Sequence, residues 1–134
     1  MLVVDTNVLG YLFIEGDFSR NARALLEHDS DWHSEPFILV ELTNVFATEI
    51  RVRRASLRDA MLALTHAQVV IEPGFYRARH ADVLSLAIEF KVSAYDARFL
   101  AVARALGVPL VTEDVKLRKA APPLTQSIAQ ALAA

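Results

Sequence analysis

LVVD at residues 2–5 and VPLVTED at residues 108–114 are apolar runs that each lead into an acidic residue, and they decide the fold. A continuous apolar run of this length is typical of a strand buried on both faces in a parallel sheet. In open α/β sheets, ligands bind just outside the carboxyl ends of such strands. Asp5 and Asp114, drawn from opposite ends of the chain, therefore predict a shared site for a hard cation.

Outward from these two runs, strand-like and helix-like patterns alternate along the chain. The predicted strands are 2–5, 32–33, 68–71, 108–112 and 124–127. The predicted helices are 7–14, 19–27, 34–51, 56–66, 76–90 and 94–106, the last ended by Gly107. This alternation predicts an α/β fold: a single domain over residues 1–134, with a central parallel sheet of about four to five short strands covered by helices on both faces.

The composition predicts one densely packed globular domain. With 134 residues, 54% of them hydrophobic, the chain can bury a sizeable core. It has no apolar run long enough to cross a membrane, and Asp5 interrupts the start too early for a signal peptide. The absence of cysteine excludes thiolate metal sites and fits a cytoplasmic location. A net charge of −2 argues against broad electrostatic capture of nucleic acid, so RNA would need a local basic patch or bound metal.

Two of the candidate functional acids follow the apolar runs. An ionised Asp5 directly after a buried strand needs a partner, although it would equally serve as the cap of the next helix. Asp114 ends the second run, and its neighbour Glu113 is the alternative, because adjacent strand residues point to opposite faces.

Two further acids lie in predicted helices. Glu41 flanks the apolar stripe of its helix, from which it would reach either the site or solvent, and Asn44 could orient it. Asp96 belongs to SAYD at residues 93–96, a capping-box pattern in which a structural acid would suffice. Asp59 lies in the same pattern at residues 56–59 and is interpreted as structural only.

Such oxygen donors match Mg²⁺ or Mn²⁺, which bind one or two carboxylates plus substrate phosphate and keep several waters. Further carboxylates would position a water for in-line displacement at phosphorus. Without metal the four acids would repel one another, so at least one should have a raised pKa. The four histidines show no zinc-like spacing and are interpreted as surface residues.

Two basic clusters are candidates for contacts with RNA phosphates. They are Arg51, Arg53 and Arg54 after the predicted helix with Glu41, and Lys116, Arg118 and Lys119 after Asp114. The alternative is that these cations only occupy helix ends, where the helix dipole favours them.

Four motifs, in this order along the chain, resemble those of PIN domain nucleases. They are VVDTNVL at 3–9, ELTNVF at 41–46, YDARFLAVA at 95–103 followed by LG at 106–107, and VPLVTED at 108–114 with Leu117. The resemblance extends from residue 2 to about 118, and the chain is similar in size to VapC-type toxins of bacterial toxin–antitoxin pairs. One departure is FILV at 37–40, where many relatives carry a serine or threonine before the acid.

The resemblance implies a metal-dependent RNA endonuclease. Its Mg²⁺ or Mn²⁺ site would consist of Asp5, Glu41, Asp96 and Asp114, with Asp114 preferred over Glu113. Thr6, Asn7 and Thr112 would be supporting polar groups, beside Asn44. The implied partners are an RNA substrate and an antitoxin that covers the site region. The apolar surplus of the chain would serve a homodimer, the antitoxin or simply the core.

Three other interpretations stay open. A housekeeping RNA-processing nuclease of the same fold would be separated from a toxin by its neighbouring genes. A catalytically silent binding module would keep the acids for structure and fail to bind metal. A phospho-accepting receiver or a phosphatase using Asp5 fits less well, because Thr6 and Asn7 follow Asp5 where a second acid is usual.

Overall fold

The computed structural model describes residues 1–134 and is organised around a parallel four-stranded sheet. Its strands are β1 (Leu2–Val4), β2 (Trp32–His33), β3 (Leu110–Val111) and β4 (Thr125–Gln126), in the order β2-β1-β3-β4. Val3 and Val4 are both fully buried although they point to opposite faces, so both faces of the sheet are covered. The α/β prediction, with a parallel sheet flanked by helices, is confirmed.

The order of the strands creates a reversal point next to β1. The chain passes from β1 to β2 on one side, and β3 lies on the other side with Val3 opposite Leu110 and Val4 opposite Val111. In sheets of this kind a crevice opens outside the carboxyl ends of the two strands that flank the reversal. Here those are the ends of β1 and β3.

Eight α-helices surround the sheet. They are α1 (Thr6–Gly10), α2 (Ser19–His28), α3 (Phe37–Arg51), α4 (Leu57–Ile71), α5 (His80–Phe90), α6 (Ala94–Leu106), α7 (Val115–Ala120) and α8 (Ile128–Ala133). On α3, Ile38, Leu42 and Phe46 recur every four residues and are buried in the core. Gly107 ends α6 in the left-handed conformation, with φ of 71°, as predicted. None of the helices combines the length and apolar character that a membrane crossing requires.

The predicted strand at 68–71 is wrong, because these residues form the last turn of α4. Ala67 and Ile71 are fully buried, whereas Val69 between them is 72% exposed. This burial has the four-residue period of a helix, so packing against the core overrides the strand preference of the valines.

Several element boundaries also differ from those predicted. The predicted helix 7–14 continues beyond Gly10 only as turns, in which the Leu12 amide donates to the Leu9 carbonyl. The predicted helix 76–90 begins only at His80, because the Tyr76 amide donates to the Ser34 carbonyl and holds that segment extended beside β2. The helices α7 and α8 were not predicted, since each spans only six residues.

Candidate active site

Asp5 and Asp114 lie directly after β1 and β3, at the crevice that the strand order creates. The Asp5 Oδ1 accepts a hydrogen bond from the Val8 amide at 3.1 Å and caps α1. The Asp114 Oδ1 accepts one from the Leu117 amide at 3.1 Å and caps α7. Each carboxylate thus uses one oxygen as a cap, which fixes its orientation at the crevice.

Glu113 points away from this crevice. Its Oε1 accepts from the Ile128 amide at 2.8 Å, and its Oε2 lies 3.5 Å from the Arg118 guanidinium. These contacts tie Glu113 to the start of α8. The preference for Asp114 over Glu113 therefore has a structural reason, since Glu113 already has partners.

Glu41 approaches the same crevice from α3. The Thr6 hydroxyl donates to its Oε1 at 2.6 Å, and Thr6 itself is buried at the start of α1. A buried donor of this kind restrains the carboxylate far more than solvent would. Glu41 does not extend freely into solvent, which was the alternative considered from the sequence.

Asp96 lies in the first turn of α6. The cap of this helix is Ser93, whose Oγ accepts from the Asp96 amide at 3.0 Å. No reciprocal bond from the Asp96 carboxylate completes a capping box, in contrast to the box that Ser127 and Gln130 form in α8. The Asp96 carboxylate is therefore not needed as a cap and faces the crevice.

All four acids line one open cavity of about 490 Å³. Its walls are formed by Asp5, Thr6, Asn7, Phe37, Val40, Glu41, Asn44, Val45, Tyr95, Asp96, Phe99 and Asp114. All four acids predicted for the metal site and three of the four predicted supporting polar residues are present, the exception being Thr112. Thr112 is fully buried below the cavity, where its hydroxyl accepts from the Asp114 amide at 3.1 Å.

The carboxylates influence one another's protonation. Burial raises the pKa of Asp5 to about 6, opposed by the Thr112 hydroxyl and the Val8 amide and assisted by the charges of Asp96 and Asp114. Burial and the charge of Asp114 also raise the pKa of Asp96. Asp5 is only 8% exposed, so its charged form lacks the solvation that water would give it. A bound cation would supply that missing stabilisation.

The donor set in the cavity consists of oxygen atoms, with no histidine among its walls and no cysteine in the chain. This chemistry fits a hard divalent ion such as Mg²⁺ or Mn²⁺ rather than zinc. No group of three or more acidic or histidine side chains is drawn together closely enough to hold a metal by itself. An ion that keeps several of its waters and takes only one or two carboxylates directly is consistent with that spacing.

None of the six predicted basic residues lines the cavity. The Arg118 guanidinium donates to the Thr112 carbonyl at 2.7 Å, and Arg54 pairs with Glu49 at 3.2 Å. Lys116 and Lys119 are exposed on α7, which begins beside Asp114. Arg51 lies ten residues beyond Glu41 on α3, about 15 Å further along the helix.

A second layer of residues beside the acids was not predicted from the sequence. Phe37 and Tyr95 belong to the cavity wall, and behind them the buried Glu35 lies 3.7 Å from the Arg98 guanidinium. A signal was available, since Glu35 immediately precedes a proline at a helix start and Arg98 lies among apolar residues of α6. Pairing the two requires the fold, because they are far apart in the chain.

Comparison with known proteins gives two findings. The family model described as PIN domain matches residues 2–122. The crystal structure of PAE2754 from Pyrobaculum aerophilum is similar in fold, with a TM-score of 0.78 and 21% sequence identity over 98% of this chain and 86% of that one. No curated protein matches the chain.

Proposed function

The chain belongs to the PIN domain family, and on that basis we propose that it is a metal-dependent RNA endonuclease, the toxin of a bacterial type II toxin–antitoxin system. PIN domains are generally nucleases that act on nucleic acids with the help of divalent metals. The observation that carries the proposal is that four acids, from four separate parts of the chain, line one cavity at the reversal point of the sheet.

The residues proposed to hold Mg²⁺ or Mn²⁺ are Asp5, Glu41, Asp96 and Asp114. When bound, such an ion supplies Lewis-acid stabilisation of charge on the phosphodiester and acidifies a bound water. Asp5 and Asp114 present fixed oxygens because their caps orient them. Thr6 keeps one oxygen of Glu41 directed inward. Asn7, Asn44 and Thr112 complete the polar surroundings.

Hydrolysis requires a water to attack phosphorus in line with the bond that breaks. The Asp96 carboxylate is not needed as a helix cap and lines the cavity, where it would orient this water and accept its proton. The new P–O bond forms on the side of the carboxylates, the opposite P–O bond to the sugar oxygen breaks, and the departing oxygen takes up a proton from solvent. Lys116 and Lys119 lie near enough to Asp114 in the chain to contact flanking phosphates.

The cleavage test compares acidic residues inside and outside the cavity. We expect RNA cleavage with Mn²⁺ or Mg²⁺ and loss of that cleavage in EDTA. We expect the cleavage rate to decrease by at least about 100-fold in Asp5→Asn and in Asp96→Asn. Asp59→Asn is the matched control, because Asp59 also lies in the first turn of a helix but does not line the cavity. Undiminished cleavage in both cavity variants would end the proposal.

The toxin role requires a partner protein and is tested separately. Exposed apolar side chains on α3, α4 and α5 support an antitoxin surface or a homodimer: Val40, Met61, Leu62, Val69, Leu84 and Ile88. We expect a small protein encoded beside this gene to bind the chain and stop cleavage in the cytoplasm. We expect a dimer in sedimentation experiments. A nuclease without such a neighbour would instead support a housekeeping role in RNA processing.

A further inference from the structure

Phe37 and Tyr95 form a stacked pair of rings in the wall of the acidic cavity. Their centroids are 5.6 Å apart and their planes differ by 12°. We propose that this pair is a platform on which one unpaired base of a single-stranded nucleic acid stacks. The proposal rests on the proposed nuclease function and adds how the substrate strand is held.

The inner ring of the platform is fixed by contacts with the buried Glu35 and the partly buried Arg98. The Phe37 amide donates to the Glu35 Oε2 at 2.6 Å, and Glu35 is only 3% exposed. The Arg98 guanidinium lies 3.7 Å from the Glu35 Oε1 and 5.7 Å from the centroid of the Phe37 ring. Phe37 is thus held at its backbone and at its ring before any substrate arrives, which lowers the entropy lost on binding.

The outer ring of the platform is open. Tyr95 is 62% exposed although it is a large aromatic residue. The single tryptophan shows the opposite behaviour, since Trp32 is 1% exposed and its indole nitrogen donates to the Asp29 carbonyl at 2.8 Å. Folding explains the position of Trp32, but it does not explain why the ring of Tyr95 is presented to solvent.

The position of the rings relative to the acids favours a nucleobase as the ligand. Tyr95 directly precedes Asp96, and Phe37 lies four residues before Glu41, one turn away on the same side of α3. A base on Tyr95 would therefore place its own sugar and phosphate beside the carboxylates. Single strands offer free base faces for such stacking, whereas the bases of a duplex are already stacked.

The test uses a short single-stranded RNA that contains 2-aminopurine, whose fluorescence is quenched when it stacks. Binding is measured with Mg²⁺ in the Asp5→Asn background, in which the residues of α3 and α6 are unchanged and cleavage is expected to be at least about 100-fold slower. We expect binding with quenching, and we expect Tyr95→Ala to weaken it roughly 5- to 150-fold. Tyr95→Phe keeps the aromatic ring, so it should retain both the binding and the quenching.

Two controls separate stacking from other effects. Tyr76→Ala removes another exposed tyrosine, 40% exposed and outside the cavity wall, and should change nothing. Adding the protein to the same RNA annealed to its complement should not change the fluorescence, because the bases of the duplex are already stacked and quenched. In the active chain, Tyr95→Ala should raise KM for single-stranded RNA and leave kcat nearly unchanged.

The platform is wrong if Tyr95→Ala binds the RNA and quenches its fluorescence as the Asp5→Asn parent does. It is also wrong if Tyr95→Phe loses as much affinity and quenching as Tyr95→Ala, or if the Asp5→Asn parent itself causes no quenching. Its failure is distinguishable from failure of the proposed function. If only the platform fails, RNA is still cleaved and cleavage is insensitive to Tyr95→Ala. If only the nuclease function fails, cleavage is absent while quenching persists and depends on Tyr95.

Discussion

Asp5 shows how one residue serves both folding and the candidate site. It follows a buried strand, caps α1 through one oxygen and lies in the wall of the acidic cavity with the other carboxylates. Its raised pKa reflects the loss of water around a charge that the metal-free protein only partly compensates. The sequence left two interpretations of Asp5 open, helix cap and functional acid, and the geometry allows one side chain to serve as both.

The raised pKa of Asp5 predicts how stability depends on pH without metal. Because the pKa is about 6 in the folded protein and 3.8 for an aspartate carboxyl in water, the folded state binds more protons than the unfolded state between these values. This contribution to the free energy of unfolding is present below pH about 4 and lost as the pH rises through about 6. Asp5→Asn, which keeps an oxygen for the Val8 amide, should therefore stabilise the metal-free protein at pH about 7 by up to ~3 kcal/mol.

Urea unfolding in EDTA at low and neutral pH measures this effect. The exposed loop residue Asp17 provides the control, because Asp17→Asn should leave the pH dependence as it is in the wild type. If the stability of Asp5→Asn declines with pH as steeply as that of the wild type, Asp5 is not the buried acid described here.

Removing the Thr6 hydroxyl tests whether this one group orients the Glu41 carboxylate. Thr6→Val keeps the shape of this buried side chain but removes the donor to Glu41. We expect kcat/KM for RNA cleavage to decrease by roughly 10- to 100-fold, as for other residues that orient ligands. Thr6→Ser restores the hydroxyl and should recover most of the activity. Equal activity in Thr6→Val and the wild type would show that Glu41 needs no such restraint.

At the scale of elements, the helices that are best predicted from the sequence are those whose ends carry clear capping residues. Ser56 and Ser93 cap α4 and α6 through hydrogen bonds to residues three positions later, and Gly107 ends α6. These signals are local, so they can be identified without the fold. The residues 68–71 are the opposite case: their strand-like composition is overridden by the burial of Ile71 at the end of α4. Such an outcome depends on contacts that a local pattern does not contain.

The helix α7 carries the prediction about RNA phosphates. Lys116 and Lys119 are exposed on a helix that starts at Asp114, whereas Arg118 is engaged by the Thr112 carbonyl. We expect the double variant Lys116→Ala, Lys119→Ala to have a higher KM for RNA. A plot of the logarithm of the RNA binding constant against the logarithm of the salt concentration should also become less steep, by about 0.7 for each phosphate contact that is lost. Arg20→Ala, an exposed cation on α2 outside the cavity, is the control. An unchanged salt slope in the double variant would mean that α7 does not contact the strand.

At the scale of the whole molecule, the order of the strands determines which parts of the sequence meet. Since β1 and β3 are neighbours, residues at opposite ends of the chain face each other across one crevice. The two apolar runs predicted this meeting, because strands that end in acids are recognisable in the sequence. Glu41 on α3 and Asp96 on α6 were candidates from the sequence, but the resemblance to PIN domains implied that they share one metal site with Asp5 and Asp114.

The aromatic platform and the pair of Glu35 and Arg98 could not be predicted in the same way. Each joins the start of α3 to α6 through side chains, and no periodicity relates residues so distant in sequence. The two-residue strands β2 and β4 are likewise too short to produce a strong pattern, although both were predicted approximately from the residues around them.

The most direct test of the central claim, that distant acids act together on one divalent ion, is calorimetric titration of Mn²⁺ into the purified protein. We expect saturable binding to the wild type and to Asp59→Asn, and at least about 10-fold weaker binding to both Asp5→Asn and Asp96→Asn, because each loses a charge at the shared cavity. If both cavity variants bind Mn²⁺ as tightly as the wild type, or if the wild type does not bind it, the account of a shared metal site is contradicted.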